Sequence, residues 1–308
     1  MTKKKGTTAS AASVRAKLLK LARERGDDFQ LVLLRYANER LLFRLSTSPH
    51  AKSFVLKGAA LFTLWTGAPH RATRDLDLLG FGDPAIERMQ SLFTDVLRVD
   101  RAADDGLVFD LASLSVDLIR EDQEYGGVRV TVDAYLTTAK IPLQVDVGFG
   151  DAITPDAVEV TYPTLLDMPA PRLRAYPRET VVAEKLEAMT KLGLENSRMK
   201  DFYDVAALAA GFAFEGTMLV RAIAATFNRR QTPIPASLPL ALTSTFADDA
   251  LKQQQWAAFV RRSGVDDAGG LSATIAALVV FLEQPLAAVR AADDTWTGTW
   301  LPGGPWSP

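Results

Sequence analysis

Asp75 and Asp77 stand two residues apart in Arg71-Ala-Thr73-Arg-Asp75-Leu-Asp77-Leu, a run that alternates polar and apolar residues as a half-buried strand does. Alternation puts both carboxylates on one face and Leu76 and Leu78 on the other. Like charges about 7 Å apart repel by roughly 2 kcal/mol at an effective dielectric near 20. A cation between them removes that cost, and Mg²⁺ takes one or two carboxylates together with substrate phosphates. The plain alternative is the solvent-exposed end of a strand, and Asp-x-Asp alone does not exclude it. A third acid stands in Leu143-Gln-Val145-Asp146-Val147. If this strand lies near that of Asp75, all three acids line one sheet face, and Asp146 could bind metal or take the proton of an attacking hydroxyl. An outward acid on an amphipathic strand is the other reading. Upstream, Lys57-Gly58-Ala59-Ala60 sets a glycine turn between an apolar strand and a short helix.

Lys185 lies in the middle of an apolar helical stripe made by Val181, Val182, Ala188, Met189 and Leu192. An ammonium there is costly to bury unless it meets an anion, and a triphosphate or an acid cluster would serve. Snorkelling to solvent is the competing reading. The next helix begins Arg198-Met-Lys200-Asp201-Phe-Tyr-Asp204, which brings Lys200, Asp201 and Asp204 to one face. An ordinary ion pair four residues apart explains Lys200 and Asp204 without catalysis; it leaves the crowding of charge at this helix start unexplained.

Composition narrows the chemistry. The 308 residues contain no cysteine and two histidines, which excludes a disulfide scaffold and a thiolate zinc site, disfavours imidazole-rich metal centres, and fits a reducing cytosol. No P-loop, dinucleotide fingerprint or Gly-x-Ser-x-Gly elbow is present. The basic, polar stretch Met1–Ser10 has no apolar core of a secretory signal. The longest apolar run, near Ile275–Leu282, falls short of the ~20 residues of a membrane helix. Net charge is −2, yet residues 1–50 hold eleven Lys/Arg against four Asp/Glu, or +7, leaving −9 for the rest. That asymmetry admits an acidic partner such as nucleic acid, and equally a solvated helical surface.

The periodicity predicts a mixed α+β chain. Helices are expected near Val14–Ala22 and Phe29–Leu45, then a strand at Ser53–Leu56, a helix at Ala59–Trp65, a strand at Arg74–Leu79 and a helix at Ala85–Arg98. Strands follow at Leu114–Ile119, Val128–Leu136 and Ile141–Phe149, with a hairpin turn at Gly126-Gly127. A proline-spotted stretch from Thr161 to Pro177 reads as a linker. Helices then run to about Ala291, and 292–308 reads as a flexible tail. The expected division is an N-terminal lobe at 1–165, with a helical lead-in at 10–45 and a core at 51–165, followed by a helical lobe at 166–308.

Taken together, these segments resemble the AbiEii/AbiGii toxin family of nucleotidyltransferases, within the polymerase-β-like superfamily. The resemblance spans about residues 31–208 and rests on Phe54-Val-Leu-Lys57-Gly58-Ala59, Arg71-x-Thr73-x-Asp75-x-Asp77, Val145-Asp146-Val147, Ala183-Glu-Lys185-Leu and Arg198-x-Lys200-Asp201-x-x-Asp204. It implies a bilobed cytoplasmic toxin with a cognate antitoxin, using NTP and Mg²⁺ or Mn²⁺, with neither a membrane nor DNA as partner. Asp75 and Asp77 would hold the metal, and Lys185 would meet the triphosphate or acceptor. Asp204, or else Asp201, would be a further catalytic acid. Gly58 would make the close turn against the phosphates, and Arg71 could help neutralise them. Lys57, Thr73, Arg198 and Lys200 complete the expected nucleotide-binding set. Ala59 stands where the wider superfamily often has serine, so phosphate contacts there fall to backbone N–H groups. Thr73 stands where relatives often carry serine, and phosphorylation there would add negative charge beside Asp75.

The resulting expectation is transfer of a nucleoside monophosphate from NTP to the 3′ end of tRNA, blocking translation and growth. The acids and Lys185 would converge on one pocket, with the basic first fifty residues and Arg172, Arg174 and Arg178 as RNA contacts. Two other readings are a transferase acting on a protein or small-molecule hydroxyl and a catalytically silent binding module.

Overall fold

Alternating residues after position 50 build a seven-stranded mixed sheet, and the helical periodicity on either side of it builds the rest of an α+β chain. The computed structural model describes residues 5–71, 73–99, 105–119, 127–265, 269–293 and 295–308, with side chains from Ser10 onward. The chain divides into two units: residues 1–150 with 158–175, and residues 151–157 with 176–308.

The first unit opens with α1 (Lys5–Arg25) and α2 (Phe29–Thr47), the latter capped by Asp28, whose side chain accepts from the Leu31 N–H at 3.0 Å. Then come β1 (Phe54–Lys57), α3 (Ala60–Thr66), β2 (Asp75–Gly80), α4 (Ile86–Leu97), β3 (Leu107–Ile119), β4 (Gly127–Leu136), β5 (Ala139–Phe149), β6 (Val158–Thr161) and β7 (Arg172–Ala175). The sheet order is β3-β4-β5-β2-β1-β7-β6. Leu56, Leu76, Leu78, Val128, Val130, Val145 and Val147 are buried on one face, and α2 and α4 supply Leu33, Leu41, Met89, Phe93 and Val96 to the same core. β3 and β4 pair antiparallel as expected, although β3 starts seven residues earlier than its periodicity indicated, with a register shift between Asp110 and Ser115 that disguises the alternation. Of the turn expected at Gly126-Gly127, Gly126 lies outside the described residues.

Two expectations for this unit change. Residues 166–175 were assigned to the helical lobe and 161–177 to a linker, yet β7 lies parallel to β1 with Leu56 opposite Ala175, and pairs antiparallel with β6. Four residues of Arg-Leu-Arg-Ala satisfy their backbone in the sheet despite the flanking prolines. The basic start of the chain is also in part structural. Arg40 and Arg44 are 1% and 6% exposed. Arg44 grips Asp105 through two nitrogens at 2.6 and 3.2 Å, and Arg40 donates to the Pro169 carbonyl at 2.8 Å. Beside them Glu39 accepts from the Leu165 N–H at 2.7 Å. Lys17, Lys20 and Arg23 remain exposed on α1.

Burial pushes the Glu39 carboxyl up to about 7, against the opposing pull of the Leu165 N–H and Arg40. The folded chain therefore holds this proton more tightly than the unfolded one, where the carboxyl titrates near 4.5. Its contribution to stability falls as pH rises through that window. Glu39→Gln is expected to flatten the pH dependence of the urea midpoint between pH 5 and 8; an unchanged slope would remove Glu39 as its source.

The second unit contains α5 (Arg178–Leu192), α6 (Met199–Gly211), β8 (Phe214–Glu215), α7 (Gly216–Arg229), α8 (Ser244–Ala247), α9 (Ala250–Ser263), α10 (Leu271–Arg290), β9 (Thr299–Trp300) and β10 (Trp306–Ser307). α10 is longer than the apolar run suggested, and by length and hydropathy it passes as a membrane span. Leu271, Ile275, Leu278, Phe281, Leu282 and Leu286 are buried, packing it as a core helix against α6 and α7.

The expected flexible tail is instead built in. β9 and β10 join β8 in a three-stranded sheet. Trp300 donates to the Ala209 carbonyl and Trp306 to that of Phe281, each at 2.7 Å, and both rings pack on Phe281. Two-residue strands carry no periodicity, so only the aromatic content pointed to this packing. Trp300→Ala is expected to cost about 3–5 kcal/mol, as large-to-small changes of aromatic core residues do, read as a lower urea midpoint. A change under about 1 kcal/mol would contradict the packing.

Candidate active site

The register of three neighbouring strands places the acids. β1 pairs antiparallel with β2, setting Lys57 opposite Asp77. β2 pairs parallel with β5, setting Asp75 opposite Gln144 and Asp77 opposite Asp146. Register partners share a face, so Lys57, Asp75, Asp77, Gln144 and Asp146 all lie on the side of the sheet away from Leu76 and Leu78. The three expected acids are thus gathered on one sheet face. Thr73, just before β2, donates through Oγ1 to the Asp75 carbonyl at 3.4 Å.

Gly58 fixes the approach of the β1–α3 turn to this row. Its φ of +71° is the left-handed conformation that side chains disfavour, and a Cβ there would overlap the Asp77 carboxylate, lying 2.6 Å from its Cγ. Ala59 is buried directly after it. Gly58→Ala is therefore expected to cost about 1–2 kcal/mol in stability. By displacing Asp77 it should also lower transfer about a hundredfold, since a displacement near 1 Å has that effect. Nucleotide transfer and urea unfolding measured on the same preparation check both numbers.

Asp146 has a partner that sequence reasoning missed. Arg129, on β4 directly opposite it, donates from Nε and Nη2 at 2.8 Å each, and Gln144 Nε2 adds contacts at 3.2 and 3.3 Å. Both oxygens of Asp146 are engaged. The signal was available: Arg129, Thr131 and Asp133 form the polar half of an alternating strand.

Among the described residues no group of three or more His, Cys, Asp or Glu is arranged to hold an ion. A hard divalent cation that keeps waters and substrate oxygens needs only one or two carboxylates from the protein. Asp75 and Asp77 fit that share, on the same polar face and with no Cβ at Gly58 to crowd Asp77. Asp146 is tied to Arg129.

The second unit carries the other expected group. Lys185 on α5 donates to Asp201 Oδ1 at 2.6 Å and to Asp204 Oδ2 at 2.9 Å, both on α6. Arg198 Nε meets the remaining Asp201 oxygen at 2.7 Å. The lysine side chain is 14% exposed and the two carboxylates 0% and 1%, so the acid cluster is the anion Lys185 required, and it does not snorkel. Burial opposes the Lys185 charge, but Asp201 and Asp204 outweigh it and hold the ammonium above the usual lysine range. Burial likewise works against the Asp201 charge, yet Lys185 and Arg198 pull its carboxyl down to about 2. Lys200 is exposed, and Asp204 takes Lys185 as its cation rather than the ordinary pair with Lys200.

A further unpredicted cation anchors α5. Arg230 binds Glu187 at 2.7 Å, Asp151 at 2.9 Å and Glu184 at 3.5 Å. Two of these partners, Glu184 and Glu187, flank Lys185 in sequence, so this contact fixes the helix that carries the ammonium. Arg178, expected to touch RNA, lies over the Phe212 ring at 4.6 Å.

Residues 40–277 match the family described as nucleotidyl transferase AbiEii toxin, type IV toxin–antitoxin system. The chain belongs to this family. It is accordingly a nucleotidyltransferase of a toxin–antitoxin system, and membership implies an antitoxin as partner. Among solved structures, JHP933 from Helicobacter pylori is 13% identical with a TM-score of 0.48, covering 84% of this chain and 94% of its own. A second H. pylori protein, provisionally classed as a nucleotidyltransferase, is 14% identical with a TM-score of 0.44, covering 84% and 97%. No curated protein matches the toxin.

Proposed function

We propose that this toxin transfers a nucleoside monophosphate from an NTP to the 3′-terminal hydroxyl of tRNA, with pyrophosphate leaving, and so stops translation. The observation that carries this reading is the polar sheet face that Asp75 and Asp77 share with Asp146, Asp77 directly opposite it, with the Gly58 turn closed onto Asp77. Asp75 and Asp77 are the residues that would hold Mg²⁺ or Mn²⁺. The ion supplies charge neutralisation to the transferring phosphoryl group, the main requirement of such reactions. In the transfer, the acceptor oxygen forms a bond to the α-phosphorus, the bond from that phosphorus to the bridging oxygen breaks, and the acceptor proton passes to a carboxylate. Asp146 is the candidate on this face, with Arg129 holding it oriented until substrate arrives.

Lys185, Asp201 and Asp204 form a charged cluster within the second unit, and the two carboxylates leave Lys185 one ammonium hydrogen for a phosphate oxygen. Lys57 and Arg71 are candidates for the remaining phosphate charge. Phosphorylation of Thr73 would set two negative charges beside Asp75 and silence transfer. Intact-mass analysis after co-expression with the antitoxin detects or excludes that mark.

The test of the main reading is incubation with each α-labelled NTP in the presence of total RNA and, separately, of cell protein. Label in the tRNA band supports it. Label in protein alone favours a protein hydroxyl as acceptor, and no label in either fraction favours a silent binding module.

A further inference from the structure

A second cationic feature lies in the first unit, away from the aspartates. Lys52, Arg172 and Arg174 line a cavity of about 670 Å³ with Ala51, Glu159 and Thr161. Arg174 is set in place: Nη2 donates to the Lys52 carbonyl at 2.6 Å and its guanidinium lies 5.2 Å from the centre of the Phe81 ring. Its Nε is shielded from water and has no hydrogen-bond partner. Lys52 and Arg172 are exposed, and neither has a carboxylate partner among the described residues. Glu159, the acid opposite Arg174 across the β6–β7 pair, makes no ion pair with it there. An unmatched group of three cations around a concave surface, with one N–H left over, is suited to an extended anion.

Register shows where this groove faces. Ala175 pairs with Leu56 on the buried side of the sheet, so Arg172 and Arg174 point to the other side, the one that carries Lys57 and Asp77. From Arg172 to the level of Lys57 is about four residues, or ~13 Å along the strand, and β7 and β2 are two strand spacings, ~10 Å, apart. The separation is therefore on the order of 16 Å, a distance that an RNA strand spans in several nucleotides.

We propose that Lys52, Arg172 and Arg174 bind the phosphodiester backbone of the acceptor RNA, several nucleotides from the end presented to Asp75 and Asp77. This deepens the functional reading above and rests on it for the identity of the anion as RNA. Contacts of this kind fix register and orientation without reading sequence. They would let the toxin select an acceptor by the length and shape of its end.

The test measures binding of a fluorescent hairpin oligoribonucleotide with a single-stranded 3′ end, by anisotropy across 50–300 mM salt. Wild-type toxin is compared with Lys52→Ala/Arg172→Ala, both exposed positions, and with Asp75→Ala/Asp77→Ala. Removing two phosphate contacts should weaken binding about tenfold at low salt and make the salt slope shallower by roughly 1.5. The aspartate variant should keep the wild-type slope. Inorganic tripolyphosphate serves as competitor: displacement of RNA only at charge-equivalent excess supports a backbone site. Displacement at equimolar tripolyphosphate assigns the groove to free polyphosphate and overturns the proposal. An unchanged slope in the Lys52→Ala/Arg172→Ala protein also overturns it, even where labelled NTP still modifies RNA. If the slope falls while no RNA is ever labelled, the groove stands and the transfer reading fails.

Discussion

Asp75→Ala and Asp77→Ala are each expected to lower nucleotide transfer by at least about a thousandfold, the scale on which electrostatic stabilisation of a transition state is lost when one charged partner is removed. Stability should change little. The two carboxylates sit on the polar face, Asp77 in register with Lys57 and Asp146 and Asp75 with Gln144, while Leu76 and Leu78 carry the packing of β2. Neither change touches that packing, so the urea midpoint should shift by the equivalent of less than about 1 kcal/mol. Isothermal titration of Mn²⁺ gives a readout independent of turnover: weakened ion binding in both variants is the expected result. Full transfer by either purified variant would falsify the assignment.

Lys185→Met should produce a different defect. Removing the lysine leaves Asp201 with Arg198 alone and withdraws from the buried Asp204 the cation that meets it at 2.9 Å. Breaking one side of a buried ionic cluster costs about 3–5 kcal/mol. Lys185 is therefore a folding residue as well as a site candidate. Loss of transfer in this variant is then ambiguous by itself. Adding Asp201→Asn and Asp204→Asn removes the two buried negative charges that Lys185 had met and should recover most of the stability without recovering transfer. Recovery of both would reduce Lys185 to a structural role.

The same cluster sets an acid limit. With Asp201 held down to about 2 in the folded chain, its contribution is complete above the unfolded carboxylate value near 3.8 and is lost as pH falls from there toward 2. Wild-type toxin should lose stability steeply across that interval, and Asp201→Asn should not. Lys185 titrates above the ordinary lysine range, so its share persists below about pH 10 and is lost only above it.

What the sequence made legible was local. The β1–Gly58–α3–β2 passage could be read because its turn needs a glycine and its strands alternate; two carboxylates at spacing two then follow on one face. The demand of Lys185 for an anion was also readable from its apolar stripe, but not that Asp201 and Asp204 meet it, because the pairing of α5 with α6 is tertiary. Arg40, Arg44 and Glu39 looked like solvated helix charges because their partners come from residues 105, 165 and 169. β7 was hidden by its arginines and by the prolines around it. β9 and β10 were too short to show a period, and the tryptophans that hold them make their hydrogen bonds far away in the chain.

The position of β7 limits how this enzyme can be dissected. β1, the strand that ends at the Gly58 turn, sits between β2 and a strand contributed by residues 172–175, after the chain has already given 151–157 to the other unit. A fragment ending at Gly150 would hold Asp75, Asp77 and Asp146 yet leave one edge of β1 unpaired, a template for intermolecular strand pairing. During synthesis the same edge stays open until Ala175 has left the ribosome. Separately expressed catalytic fragments should aggregate unless they run through Ala175.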